Sequence, residues 1–245
     1  MSEAKYDFPT EIIELPSQGL PYEQGHFLSG GKVTIKYMTA KEEDILSNKA
    51  YIDKDIVLDK LLQSVIVDKF KYDDLLTGDK NAILIATRIL GYGSEYSFQY
   101  RDNNYTVELS ELENKPLHEC IIKGSREITF TTPNTGDVIT FNLTTHKDEA
   151  DLASNLKALK KIYKEGVPEK SETLKHIITS VNGEDDKSVI NDYVNKRLLA
   201  RDSLALRKFI REVTPDVDFT FFPYTNSDVA ANIPITAGFL WPDIE

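Results

Sequence analysis

Cysteine is nearly missing from this chain: Cys120 is the single one among 245 residues, so no internal disulfide can form and no multi-cysteine metal finger can be built. No stretch approaches the roughly 18 consecutive apolar residues that a membrane-crossing helix needs. The opening residues lack the basic-then-apolar pattern of a secretory signal, so a reducing cytoplasm is the expected setting. Positive charge is also in deficit. With 29 Lys and Arg against 40 Asp and Glu, the net charge is −11 and the pI near 4.9. Such a chain repels phosphate backbones, whose affinity for proteins rests on counterion release, and nucleic acid is not an expected partner. There is no internal repeat and no low-complexity linker. The length suffices for one large domain or two small ones, each with its own core.

What the chain does have is a dense run of helix signals between Tyr37 and Gly93. In YMTAKEEDIL, Thr39 stands three residues before Glu42, the capping-box spacing, which starts a helix near Ala40. In IVLDKLLQSVIVDK, Leu58, Leu61, Leu62, Val65 and Ile66 form one apolar stripe opposite Asp59, Lys60 and Gln63. In GDKNAILIATRILGYG, Asp79 is placed to cap a helix. Ile83, Leu84, Ile85, Ala86, Ile89 and Leu90 leave that helix almost no polar face, and Gly91 and Gly93 supply a left-handed exit. It should be the most buried helix.

Around this run the period is 2. Ile12, Ile13 and Leu15 lead into a turn at Pro16-Ser17-Gln18-Gly19, and Val33, Ile35 and Tyr37 share one face of a strand. After Gly93, Tyr96, Phe98 and Tyr100 alternate up to a turn at Asp102-Asn103-Asn104, and Tyr105, Val107 and Leu109 return as a hairpin. A second hairpin joins Ile128–Phe130 to Val138–Phe141 through Pro133–Asp137. From Thr145 the pattern is helical again. Thr145 and Asp148 form a cap pair, and Leu152, Leu156, Leu159 and Tyr163 lie on one stripe of what should be the longest helix. Further helices fit Ser171–Val181, Ser188–Ala200 and Asp202–Val213, the last stopped by Pro215. Val217, Phe219 and Phe221 then alternate, as do Ile233, Ile235, Ala237, Phe239 and Trp241. The expected class is α+β. It has an N-terminal part over 1–95 with a short sheet covered by helices, a β-hairpin part over 96–144, and a helical part over 145–245 closed by an aromatic strand pair.

No motif for catalysis, metal or cofactor emerges. Gly91-Tyr92-Gly93 begins like a dinucleotide fingerprint, but Tyr96 replaces the third glycine and a helix precedes it where a strand is required, so a helix end is the better reading. Glu42, Glu43 and Asp44 point about 100° apart around a helix and do not converge on one atom; they suit the first-turn dipole. His118-Glu119-Cys120 lacks the second histidine of a zinc motif, its place taken by Lys123. The histidines at 26, 118, 146 and 176 are far apart, and no Gly-x-Ser-x-Gly elbow accompanies them. Asn104-Tyr105-Thr106 and Asn142-Leu143-Thr144 match the glycosylation acceptor by chance in an unsecreted chain. Lys157, Lys160, Lys161 and Lys164 read as a solvated helix face.

The C-terminal aromatics carry the functional signal. Phe219, Phe221, Phe222, Pro223, Phe239, Leu240, Trp241 and Pro242 are candidate partner-interface residues, because clustered aromatics anchor protein interfaces. The competing reading packs both strands on the chain's own core. Phe222 and Leu240, out of phase with their neighbours, should be the exposed members. Pro223, Pro234 and Pro242 each remove a backbone donor and suggest strand edges.

ELPSQGLPY (Glu14 to Tyr22) and the three stretches above, with FLWP (Phe239 to Pro242) at the end, resemble the baseplate hub proteins of T-even-type tailed bacteriophages. The likeness is dense over about residues 12 to 96, thin through the middle and present again at the C-terminus. It implies a non-enzymatic tail component or hub-assembly factor. Such a protein works by contact with other baseplate and tail hub proteins, without nucleic acid, membrane or cofactor, in the host bacterial cytoplasm during assembly and in the virion tail baseplate, and is a monomer or small oligomer when free. From another class, an intracellular wall-degrading hydrolase would need two carboxylates in one cleft, one of them with a raised pKa.

Overall fold

The structure, a computed structural model, describes residues 8–163, 166–223, 230–235 and 239–240. It is of the α+β class: small antiparallel sheets with helices packed around them.

β1 (Thr10–Glu14) pairs antiparallel with β2 (Lys32–Lys36), Thr10 opposite Lys36. Alternation along β2 buries Val33 and Ile35. The intervening loop depends on Gly19, whose φ is +77°; a Cβ there would stand 2.6 Å from the Ser29 carbonyl oxygen, so backbone crosses backbone. α1 (Ala40–Leu46) starts at the expected place, and the Glu42 carboxylate accepts from the Thr39 N–H at 2.9 Å. A one-turn helix, α2 (Lys49–Ile52), was not expected; Asn48 Oδ1 caps it by accepting from the Ala50 and Tyr51 N–H groups. α3 (Val57–Val65) buries Leu61, Leu62 and Val65. Ile66 leaves the helix and bridges to Ile35, adding to the β1–β2 sheet.

α4 (Thr77–Tyr92) starts before Asp79, so Asp79 is not its cap but a buried residue of the first turn. The expectation of heavy burial holds, with Ala82, Ile83, Leu84 and Ile85 inside, and Gly93 at φ +86° ends the helix.

β3 (Glu95–Tyr100) and β4 (Asn103–Glu108) form the first hairpin. Its turn is the two residues Arg101 and Asp102, one position earlier than expected, with Arg101 at φ 54°. Asn103 and Asn104 are instead strand residues opposite Tyr100 and Gln99, because a two-residue turn with positive φ at its first position matches strand twist. β5 (Glu127–Thr131) and β6 (Val138–Asn142) form the second hairpin as expected. α5 (His146–Ile162) is the longest helix among the described residues, at 17 residues, and Thr145 and Asp148 form its capping box. Leu152, Leu156 and Leu159 are half-buried beneath it, while Tyr163 lies past the helix end and is exposed.

The helix expected over Ser171–Val181 is a correction. α6 (Glu169–Ile177) stops at Ile177, and β7 (Ile178–Val181) becomes a third strand on β6. Its β-branched residues Ile178, Thr179 and Val181 favour the pleat, and the waiting edge of β6 decides the outcome. α7 (Lys187–Lys196) ends four residues short of expectation, and α8 (Ala200–Val213) matches it. β8 (Thr220–Phe221) pairs antiparallel with β9 (Ala231–Asn232), two residues each. The aromatic strand expected over 233–241 is a correction: among its described residues, 233–235 are not strand and Phe239 and Leu240 form a turn.

One apolar cluster unites the chain, taking in Leu28, Ile35, Leu61 and Ile83, then Phe141, Ile178, Tyr193 and Leu206, then Phe98, Phe221 and Phe239. Each fully buried Leu or Phe contributes about 1.5–3 kcal/mol relative to exposure. Among the described residues, no helix is long and apolar enough to cross a membrane.

Candidate interaction site

The C-terminal aromatics seat themselves on the first hairpin. The Phe221 ring meets Phe98 edge-on at 5.0 Å and lies 5.4 Å from both Tyr100 and Tyr105. Phe239 stands edge-on to Tyr96 at 4.9 Å. Edge-to-face geometry brings the positive rim of one ring to the negative face of the next. Hydroxyls tie the same surfaces: Tyr105 donates to the Pro223 carbonyl at 3.0 Å and Tyr96 to the Pro234 carbonyl at 2.9 Å. Phe221, Pro223 and Phe239 are therefore interior. Leu240 is a correction: it was expected outside and is buried at 1% exposure. It sits with Phe239 in a turn rather than a strand, and there alternation does not send neighbours to opposite faces. Phe219 is half-buried against the core. Phe222 is outside as expected, 64% exposed. Trp241 and Pro242 lie outside the described residues.

The stretch before β8 is not an open edge. The Lys115 N–H donates to the Asp216 carbonyl at 2.9 Å and the Asp218 N–H to the Glu113 carbonyl at 2.8 Å, so residues 113–115 flank it. On the other side the Ile233 N–H donates to the Phe219 carbonyl at 2.8 Å.

The polar residues of the N-terminal stretches are occupied with one another. Asp79 Oδ1 accepts from the Ser17 N–H at 2.9 Å, and Oδ2 accepts from the Ser17 hydroxyl at 2.7 Å and the Tyr22 hydroxyl at 2.6 Å. The Tyr22 oxygen in turn accepts from the Leu76 N–H at 2.9 Å, at the start of α4. Burial raises the Asp79 pKa, and the three hydrogen bonds oppose that rise without cancelling it. Burial and the neighbouring carboxylate push the Tyr22 hydroxyl up as well. Glu42 is the second buried carboxylate. Burial alone would raise it, but Lys36 and Ser64, each at 2.7 Å, and Thr39 hold it down at about 2. Asp79 is thus a buried acid without a cation and Glu42 a buried acid with one.

Clefts open at the surface of the described residues. The first, about 560 Å³, is lined by Tyr22, His26, Lys71, Asp74, Arg126 and Asp148; Arg126 and Asp148 pair at 2.9 Å. The second, about 680 Å³, holds Asp59, Lys80, His146 and Glu149; His146 Nδ1 is 3.5 Å from Asp59 Oδ1, and the Tyr72 hydroxyl donates to the same oxygen at 3.0 Å. The third, about 300 Å³, lies beside the aromatic strands between Lys115, Lys208, Arg211, Asp216, Asp218 and Phe219. Burial raises Asp216, although it accepts from Asn81 Nδ2 at 3.0 Å and from the Val217 N–H at 2.8 Å.

The remaining candidates fall into structural places. Gly91 and Tyr92 are the last turn of α4. Glu43 and Asp44 are solvent-exposed residues of α1. His118 Nδ1 is 3.0 Å from Cys120 Sγ, and burial raises that thiol, so the protonated form is favoured and nucleophilic character falls. Among the described residues no group of three His, Cys, Asp or Glu side chains is arranged to hold a metal. Lys157, Lys160 and Lys161 are exposed on α5, and Lys164 lies outside the described residues.

Sequence reasoning missed the Ser17–Tyr22–Asp79 knot, whose members are 57 and 62 residues apart. It also missed the cations at the end of α7 and on α8, for which a signal existed: Lys196, Arg197, Arg201, Arg207, Lys208 and Arg211 crowd one short segment of an acidic chain. No family model, no curated protein and no solved structure matches the chain.

Proposed function

We propose that the chain is a non-enzymatic structural or assembly protein of the central baseplate hub of a contractile-tail bacteriophage. It acts in the host bacterial cytoplasm by shape-specific contact with other tail proteins. The observation that supports this reading is how the polar groups of the hub-like stretches are used. Ser17 and Tyr22 of ELPSQGLPY bind Asp79 of GDKNA, and Glu42 of TAKEED binds Lys36 and Ser64. The side chains that carry the resemblance are spent on holding a shape, and Phe239 and Leu240 of the closing stretch are packed into the same core. Phe222 remains as an exposed aromatic anchor of the kind interfaces use.

The test is genetic. Baseplates made without this chain should lack an organised central hub by electron microscopy, wild-type chain supplied in trans should restore it, and Phe222→Asp should not. Normal baseplates in its absence would remove the proposal.

One observation favours the hydrolase reading: Asp216, with its raised pKa, shares the 300 Å³ cleft with Asp218 and Glu212, a pairing general acid catalysis requires. Release of reducing sugar from cell-wall peptidoglycan by the purified chain, abolished by Asp216→Asn, would favour that reading over the first.

A further inference from the structure

We propose that the outward face of α8 is a docking surface for an acidic amphipathic helix of a partner protein. The helix turns 100° per residue, which gathers Arg201, Leu204, Lys208 and Arg211 within an arc of about 80°. Asp202, Leu206 and Val213 lie on the opposite side and are buried. The inner face therefore belongs to the core, and Arg201, Leu204, Lys208 and Arg211 are exposed among the described residues.

The charge of that face runs against the whole. The chain carries −11, yet the segment from Lys196 to Arg211 has Asp202 as its one acidic residue, and Asp202 is turned inward. Its Oδ1 accepts from the Asn134 N–H at 3.0 Å and from Asn134 Nδ2 at 2.7 Å. On the outer side Lys208 has only a loose contact with Glu212, 3.7 Å away and largely exposed, and Arg201 and Arg211 have no carboxylate partner among the described residues. A guanidinium presents a planar fork that matches a carboxylate with two hydrogen bonds.

Leu204, 58% exposed, stands among these cations, and Leu199, 51% exposed, lies at the N-terminal cap of the helix. Three cations surrounding an exposed leucine are the negative image of a helix that sets Asp or Glu around an apolar residue. From Arg201 to Arg211 the ridge runs about 15 Å, so the partner needs about three helical turns to cover it. At its C-terminal end the ridge opens on the 300 Å³ cleft, where Lys115 joins Lys208 and Arg211 beside the half-buried Phe219. That cleft also has Glu212, Asp216 and Asp218 in its wall. Asp216 is engaged by Asn81, and Asp218 Oδ1 by the Thr220 N–H at 3.0 Å. Nucleic acid is the poorer occupant: the leucine within the ridge offers nothing to phosphates, and the chain's net negative charge repels them.

The experiment titrates the full chain by fluorescence anisotropy into two labelled probes. One is a synthetic helical peptide with glutamates around two leucines, and the other a short DNA duplex. The peptide should bind, more weakly as salt rises. Arg201→Glu/Arg211→Glu should weaken it about tenfold or more with unchanged thermal unfolding. Leu204→Ser should weaken it while leaving the salt dependence in place. Four results overturn the proposal: no peptide binding; binding unchanged by the charge reversal; tighter binding of the duplex; or self-association of the wild type that the reversal abolishes, which makes a second copy the occupant. None of these depends on whether the chain is found in phage tails.

Discussion

Tyr22→Phe removes one oxygen and should be disproportionately damaging. That oxygen donates to Asp79 at 2.6 Å and accepts from the Leu76 N–H at 2.9 Å, and all three residues are buried. Its loss leaves a buried N–H and a buried carboxylate lone pair without partners, each worth about 1–3 kcal/mol, so about 3 kcal/mol in all. Against a total stability of about 5–15 kcal/mol this is a large fraction. Asp79→Ala strands three donors and should cost about 4–5 kcal/mol. Asp79→Asn keeps the shape and offers an amide to hydroxyls that can rotate to accept it, so about 1–2 kcal/mol is expected near neutral pH. The pH dependence separates charge from shape. Because burial raises the Asp79 pKa above its ordinary 3.8, its folded form holds the proton more tightly. Its contribution is therefore greatest at low pH and declines as pH rises through 3.8 towards the folded value. The advantage of wild type over Asp79→Asn should shrink along that limb. Urea unfolding followed by circular dichroism measures all of this as midpoint shifts at constant slope. A Tyr22→Phe midpoint within about 0.5 kcal/mol of wild type would refute the reasoning.

Glu42 behaves in the opposite sense. Its carboxyl is held at about 2 from an ordinary 4.5, so the stability it confers is complete above pH 4.5 and disappears as pH falls from there towards 2. Glu42→Gln should cost about 2–3 kcal/mol at pH 7 and flatten the acid limb of the unfolding profile. Gly78→Ala should destabilise by about 3 kcal/mol or more despite alanine's helix propensity, because the new Cβ would lie 1.8 Å from the Pro215 carbonyl oxygen, a backbone atom. Gly91→Ala meets only the mobile end of Met38, at 2.1 Å, and should change the unfolding midpoint by less than about 1 kcal/mol. Phe221→Ala should cost about 3–5 kcal/mol, whereas Phe222→Ala should leave thermal unfolding within about 0.5 kcal/mol of wild type and lower partner affinity.

Local signals were legible in proportion to how locally they are satisfied. The Thr39–Glu42 and Thr145–Asp148 boxes, the α3 stripe and both hairpins close within a few residues, and the sequence reveals them. Asp79 was misread as a cap because its true partners come from a distant loop. The strand β7 was misread as helix because what selects it is the open edge of β6, some 40 residues earlier in the chain. Leu240 was placed outside by extending strand alternation into a turn. In the candidate interface, the aromatic content was visible, but its division was not: Phe221 and Phe239 face the Tyr96–Tyr105 hairpin and Phe222 faces solvent. The cationic side of α8 was hidden by a strongly negative total, which averages over faces that a partner meets one at a time.

We propose that this chain works by joining a phage tail hub. Quantitative mass spectrometry of gradient-fractionated infected-cell lysate, beside purified virions, tests it most directly. The account predicts the chain in fixed stoichiometry with hub or baseplate precursors, and either retained in virions at a small constant copy number or released once the hub is complete. A chain confined to the free-protein fraction throughout assembly, never sedimenting with any tail intermediate, would contradict it.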